Sequence, residues 1–199
     1  MPVRRCFLAL AAVAASAAIS TSLRAQSTTA GAAGSQGGNP MAALRGAAQD
    51  AMKLLAWMVG EWEGPASIEY APGQTIHLTQ TESIKPGAFN TAMFIQGRGT
   101  MKNGGTEQVV FESAGIILYD VSSKKYIMTS TPGSGHAGTF DMKVDGTTVV
   151  WGFAKSSTEQ VRYEISHTAD GKWKEIGYVS TDGGKTWKQN MEMLLSRKP

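Results

Sequence analysis

The sequence predicts an all-β domain: an antiparallel up-and-down β-barrel of about ten strands with a short N-terminal helix. Three observations predict it. From Gly60 onward, apolar and polar residues alternate with a period of two, as in a strand with one buried and one wet face. Turn chemistry recurs at short intervals, including Asp145-Gly146, Asp170-Gly171 and Asp182-Gly183-Gly184, and Asp-Gly between alternating residues is a strong hairpin signal. No helix-sized gap separates the strands, so neighbours pair antiparallel without crossovers. Composition agrees: 42% hydrophobic and 18% charged residues suffice for one core, and 23 glycines favour turns.

Residues 1–26 read as a secretory signal peptide: Arg4 and Arg5, an apolar run from Cys6 to Ile19, then Leu23-Arg24-Ala25 before a cut. The run is shorter than the ~20 residues that span a bilayer, so no membrane span is expected after cleavage. Cleavage removes Arg4, Arg5 and Arg24, which lowers Lys+Arg from 19 to 16 against 16 Asp+Glu. A formally neutral chain excludes nucleic acid as a partner on bulk charge. Cys6, the single cysteine, leaves too, so no disulfide is expected and the core alone holds the fold. The expected location is periplasmic or secreted.

Residues 27–39 read as a flexible linker, being Gly/Ala/Ser/Thr-rich. The helix-plus-barrel domain is expected over 40–199. Asn39 caps the helix and Pro40 opens it; Leu44, Ala48, Ala51, Leu55 and Met58 recur at helical spacing, and Gly60 ends it. On the first strand Trp62, Gly64, Ala66, Ile68 and Tyr70 share one face, and Glu61, Glu63, Ser67 and Glu69 the other. Nine more strands are expected near 74–84, 91–102, 107–120, 125–131, 137–144, 147–155, 159–168, 172–181 and 187–196. Ten hairpin-linked strands need closed edges, which a barrel provides; a two-sheet sandwich is the alternative.

The stretch Leu54 to Gly64, with Gly60-Glu61-Trp62 at its centre, resembles the start of the bacterial family known as domain of unknown function 1579. It is also similar to the Gly-x-Trp opening of calycin-like barrels, the lipocalins and nitrobindin-like proteins. The resemblance spans roughly residues 50–199. It implies a calycin-like barrel with a late arginine lying over the tryptophan, and Arg197 stands where that arginine would be. Nitrobindin-like proteins hold haem through one late-strand histidine, and His167 is the position that could take that role.

Other motifs read as structure. Ser180-x-Asp182-x-Gly184-x-Thr186-Trp187 fits an Asp-box, in which Asp182 bonds turn amides and Trp187 packs beneath the hairpin. The run Gly133 to Gly138 matches Gly-x-Gly-x-x-Gly, but a strand follows where a dinucleotide site needs a helix. It reads as a loop, which at a barrel mouth would bring His136 near a ligand. No metal site is expected, because His77, His136 and His167 have no ligand spacing.

The candidate ligand-binding residues are polar groups on inward faces. Gln80 and Glu82 share a face with Ile76, Leu78 and Ile84, and a carboxylate there must be paired or wet. Arg98, on a face with Phe94 and Gln96, is the expected partner; Tyr163 and His167 fall on the inward row of their strand. Met128, Met142, Met191 and Met193 could line a soft pocket. The expected function is a secreted barrel that binds a small apolar or amphipathic ligand, with no catalytic residue or cofactor assigned. The alternatives are a haem-binding or isomerase-type enzyme using His167, Tyr163 or Glu82, and a structural, partner-binding envelope protein with a filled barrel.

Overall fold

The structure is a computed structural model that describes residues 39–133, 135 and 137–199. The expected signal peptide, almost all of the linker and His136 lie outside the described residues. Helix α1, Pro40–Met52, begins as the sequence predicts: Pro40 is its first residue, and the Asn39 side chain accepts from the Met41 N–H at 3.0 Å. It then tightens into a 3-10 helix, Lys53–Met58. Three residues per turn replace 3.6, which rotates the buried stripe. Ala48, Met52, Leu55 and Met58 are buried, whereas Leu44, expected on the same face, is exposed.

Ten strands follow: β1 Gly60–Ala71, β2 Gln74–Gly87, β3 Ala92–Asn103, β4 Thr106–Asp120, β5 Lys125–Pro132, β6 Gly138–Asp145, β7 Thr148–Ala154, β8 Gln160–His167, β9 Trp173–Ser180 and β10 Lys188–Arg197. Each pairs antiparallel with its neighbour in sequence, and β1 pairs with β10 to close the barrel. The closing seam aligns Trp62 with Arg197 and Ala66 with Met193. Closure leaves no free sheet edge along this seam and encloses a lumen.

Two local departures have physical causes. The turn after β2 is not at Lys85-Pro86-Gly87, which pair with Phe94, Met93 and Ala92. It lies at Ala88–Asn90, with φ values of 48°, 59° and 65° at three successive non-glycine residues. Helix α1 clamps this unusual backbone: Gln49 Nε2 donates to the Phe89 carbonyl at 2.6 Å, and the Arg45 guanidinium lies 4.4 Å from the Phe89 ring centre. At the other end of β1 a register shift between Glu69 and Ala71 takes Tyr70 out of the inward row, and it is exposed.

The starts of β1, β3, β5, β7 and β9 form one end of the barrel, the base, which α1 and the 3-10 helix cover. The β9–β10 turn and the loop after β5 lie at the opposite end, the mouth. Among the described residues no helix is long and apolar enough to cross a membrane.

Candidate functional site

The base is closed by aromatic packing. Trp62 is fully buried and its indole N–H donates to the Met58 carbonyl at 2.8 Å. Trp57 and Trp173 pack edge-on against it, with ring centres 6.4 and 5.9 Å away. Arg197 lies over the Trp62 ring at 4.4 Å and donates to the Val59 and Trp57 carbonyls. Gly60, at φ 136°, passes directly under that guanidinium, and a Cβ there would collide with Arg197 Nη1. The triplet therefore needs glycine so that the arginine can reach the tryptophan.

Above this base the barrel is open. A cavity of about 630 Å³ runs along its axis, within the range of small-molecule sites. Its walls are mostly apolar and include all four methionines singled out above. Period-two geometry turns Leu78, Gln80 and Glu82 of β2 inward, together with Tyr163 of β8 and Trp173 and Glu175 of β9. Small residues opposite make room for the polar groups. A Cβ on Gly97 would lie 2.8 Å from Glu82 Oε1, one on Gly99 3.0 Å from Gln80 Oε1, and one on Gly177 3.1 Å from the Tyr163 ring.

The lumen holds two buried carboxyl groups. Gln80 Nε2 donates to Glu82 Oε1 at 2.8 Å, and the Trp173 indole N–H to Glu175 Oε2 at 3.4 Å. Burial pushes Glu82 up to about 7, against the opposing pull of the Gln80 hydrogen bond. Burial also pushes Glu175 up to about 8, and the charge of Glu82 raises it further. Tyr163 is held at about 12 by burial and by the charge of Glu175. Among the described residues lining the cavity there is no lysine, arginine or histidine.

The expected site residues divide. Gln80, Glu82 and Tyr163 come together in the lumen. Arg98 does not: it pairs in register with Thr81 rather than Glu82, faces solvent and lies 3.7 Å from Glu112 Oε1. The face chosen for β3 is one residue out of phase, because Phe94 is exposed and the inward row is Met93, Ile95, Gly97 and Gly99. His167 lies on the inward row but at the base, stacked on Trp57 at 4.9 Å and 15°. It does not line the cavity, so the residues present do not fit a haem held in the lumen through His167. His77 lies on the exposed face of β2.

Sequence reasoning missed Glu175 and Asn190. The signal for Glu175 was its parity with Trp173 and Gly177 on β9, whose burial alternates in step. Asn190 lines the cavity, and its buried Oδ1 has no hydrogen-bond partner. A register shift between Gln189 and Met191 places it there, and no alternation rule foresees that.

At the mouth the β9–β10 turn has the Asp-box arrangement. Asp182 Oδ1 accepts from the Lys185 and Thr186 amides at 3.0 and 2.9 Å, and Oδ2 from the Thr186 hydroxyl at 2.5 Å. These bonds hold its carboxyl down at about 2. Gly184 sits at φ 87°, its carbonyl accepting from the Trp187 indole N–H at 3.0 Å. A second concavity, about 470 Å³, lies on the outer surface around Thr81, Arg98 and Glu112. Its charged groups are already satisfied: Arg98 by Glu112, and Glu61 by the Ser83 hydroxyl at 2.7 Å.

No protein-family model matches the chain, and no curated protein matches it. Among solved structures, the crystal structure of Rv2717c from M. tuberculosis is similar at a TM-score of 0.53 and 12% identity, covering 75% of this chain and 98% of that one. At that identity the likeness concerns the barrel fold alone.

Proposed function

We propose that this barrel binds a small apolar or amphipathic molecule in its lumen, as a protein exported to the periplasm or beyond. The observation that carries the reading is the open, mostly apolar cavity of about 630 Å³ with a few convergent polar groups. A barrel packed solid by its own side chains would have no such volume, which counts against the filled-barrel alternative. Export rests on the residue pattern of 1–26. The Gly60–Trp62–Arg197 arrangement supports the calycin-like resemblance.

Native mass spectrometry of the protein purified without denaturant tests this. The expected result is a discrete excess mass that disappears on denaturation and is absent from a folded Met128→Trp variant, whose added ring occupies the lumen. A bare polypeptide mass, together with no uptake of a neutral apolar fluorophore, would sink the reading.

One observation favours a second reading, acid–base chemistry in the same lumen. Glu82 is held near 7, where a carboxyl can both give and take a proton at neutral pH. Conversion of an enolisable ketone by the wild type but not by Glu82→Gln would establish it.

A further inference from the structure

The lumen holds two carboxyl groups and, among the described lining residues, no cationic side chain. Glu82 and Glu175 are 9% and 7% exposed, and neither forms an ion pair with any described residue. Each takes one hydrogen bond on one oxygen, Glu82 from Gln80 and Glu175 from the Trp173 indole at a long 3.4 Å. The buried Asn190 Oδ1 adds a third acceptor that nothing satisfies. Native proteins rarely leave buried charge and acceptors unmatched, because each lost partner costs free energy. The walls around these groups include the rings of Trp151, Tyr163 and Trp173, and an aromatic face attracts a cation. Trp151 and Tyr163 stack at 4.5 Å and present one continuous aromatic wall.

We propose that the ligand of this lumen is an organic ammonium: an apolar body with one protonated primary or secondary amine that donates to Glu82 and Glu175. The inference rests on the lumen-binding reading and gives it a ligand class. An ammonium supplies the positive charge that the described lining lacks, on N–H groups that can donate to carboxyl oxygens without a partner. A quaternary ammonium supplies the charge without the donors. A carboxylate ligand would add a third negative group to two that already oppose each other. The titratable groups facing the ammonium are Glu82 of β2, Glu175 of β9 and Tyr163 of β8; the other described lining residues are uncharged.

Calorimetric titration with decylamine, decyltrimethylammonium, decanol and decanoate is the test, on the wild type and on the Glu82→Gln/Glu175→Gln double variant. At pH 8, decylamine should bind on the order of tenfold or more tightly than decanol, as expected for charge-assisted hydrogen bonds. Decyltrimethylammonium should fall between them. The double variant should lose the amine preference yet bind decanol as before, and retained decanol binding also shows that it is folded. Decylamine affinity should rise from pH 6 to pH 9 as the carboxyls ionise. At pH 7 binding should release protons, so the measured heat should change with the buffer's ionisation enthalpy. Equal affinity for decylamine and decanol, or a preference for decanoate, would overturn the ammonium inference and leave lumen binding standing. Failure of all four probes to bind would overturn both.

Discussion

The base and the lumen of this barrel solve opposite problems. At the base Trp62 is packed by Trp57, Trp173 and Arg197, and Arg197 in turn is held by two backbone carbonyls, with the Trp57 indole N–H the one buried polar atom of this cluster that has no hydrogen-bond partner. In the lumen two carboxyls and an amide oxygen stay short of partners. The base therefore bears the cost of holding the fold, while the lumen keeps groups that water would solvate better. The contrast teaches that burial alone does not distinguish a core from a site; what distinguishes them here is that the lumen buries two carboxyl groups beside an open cavity, whereas the base buries rings packed on one another.

The largest expected effect breaks the base. Trp62→Ala should lower stability by about 3–5 kcal/mol, since it removes a fully buried ring and leaves a cavity. Urea unfolding followed by far-UV circular dichroism measures it.

The next effect sharpens the contrast, because it comes from the lumen and has the opposite sign. Glu82 and Glu175 are raised from 4.5 to about 7 and about 8 in the folded protein. The native state thus keeps protons that the unfolded chain has already lost. Stability should fall as pH rises from about 4.5 through about 8, and the loss is complete above that range. The Glu82→Gln/Glu175→Gln variant should remove most of this slope and be more stable than the wild type at pH 9. A wild-type urea midpoint that rises across the window would show that the two carboxyls are stabilised in their charged form by partners of their own.

A smaller loss is expected at the rim of the base. Arg197→Ala gives up the stacking on Trp62, about 0.5–2 kcal/mol. Gly60→Ala should cost about 1–3 kcal/mol through its positive φ and its clash with the same guanidinium. Since both act on one contact, the double variant should cost less than the sum, which a thermodynamic cycle reads directly. The smallest effect should follow Asp182→Ala at the mouth: faster amide exchange at Lys185 and Thr186, with the global unfolding midpoint nearly unchanged.

Local pattern determined a great deal. Alternation and turn residues placed every strand to within a few positions, and the parity of β2 put Gln80 and Glu82 inside. The Asp-box hairpin was legible because all its partners lie within seven residues of one another. Gly60, Trp62 and Arg197 were legible through a resemblance, not through spacing, since 135 residues separate the tryptophan from its arginine.

Tertiary structure alone decided the rest. Arg98 points outward with Gln96, Thr100 and Lys102, and the row Met93, Ile95 and Met101 faces in; the exposed Phe94 was the misleading signal, a large apolar residue on the outer row. His167 has inward parity, yet its height along the barrel sets it against Trp57 at the base rather than in the cavity. Parity is a property of one strand, whereas height depends on the stagger of all ten. Glu175 and Glu82, nearly a hundred residues apart in sequence, confront each other only because β1 and β10 close the sheet between them.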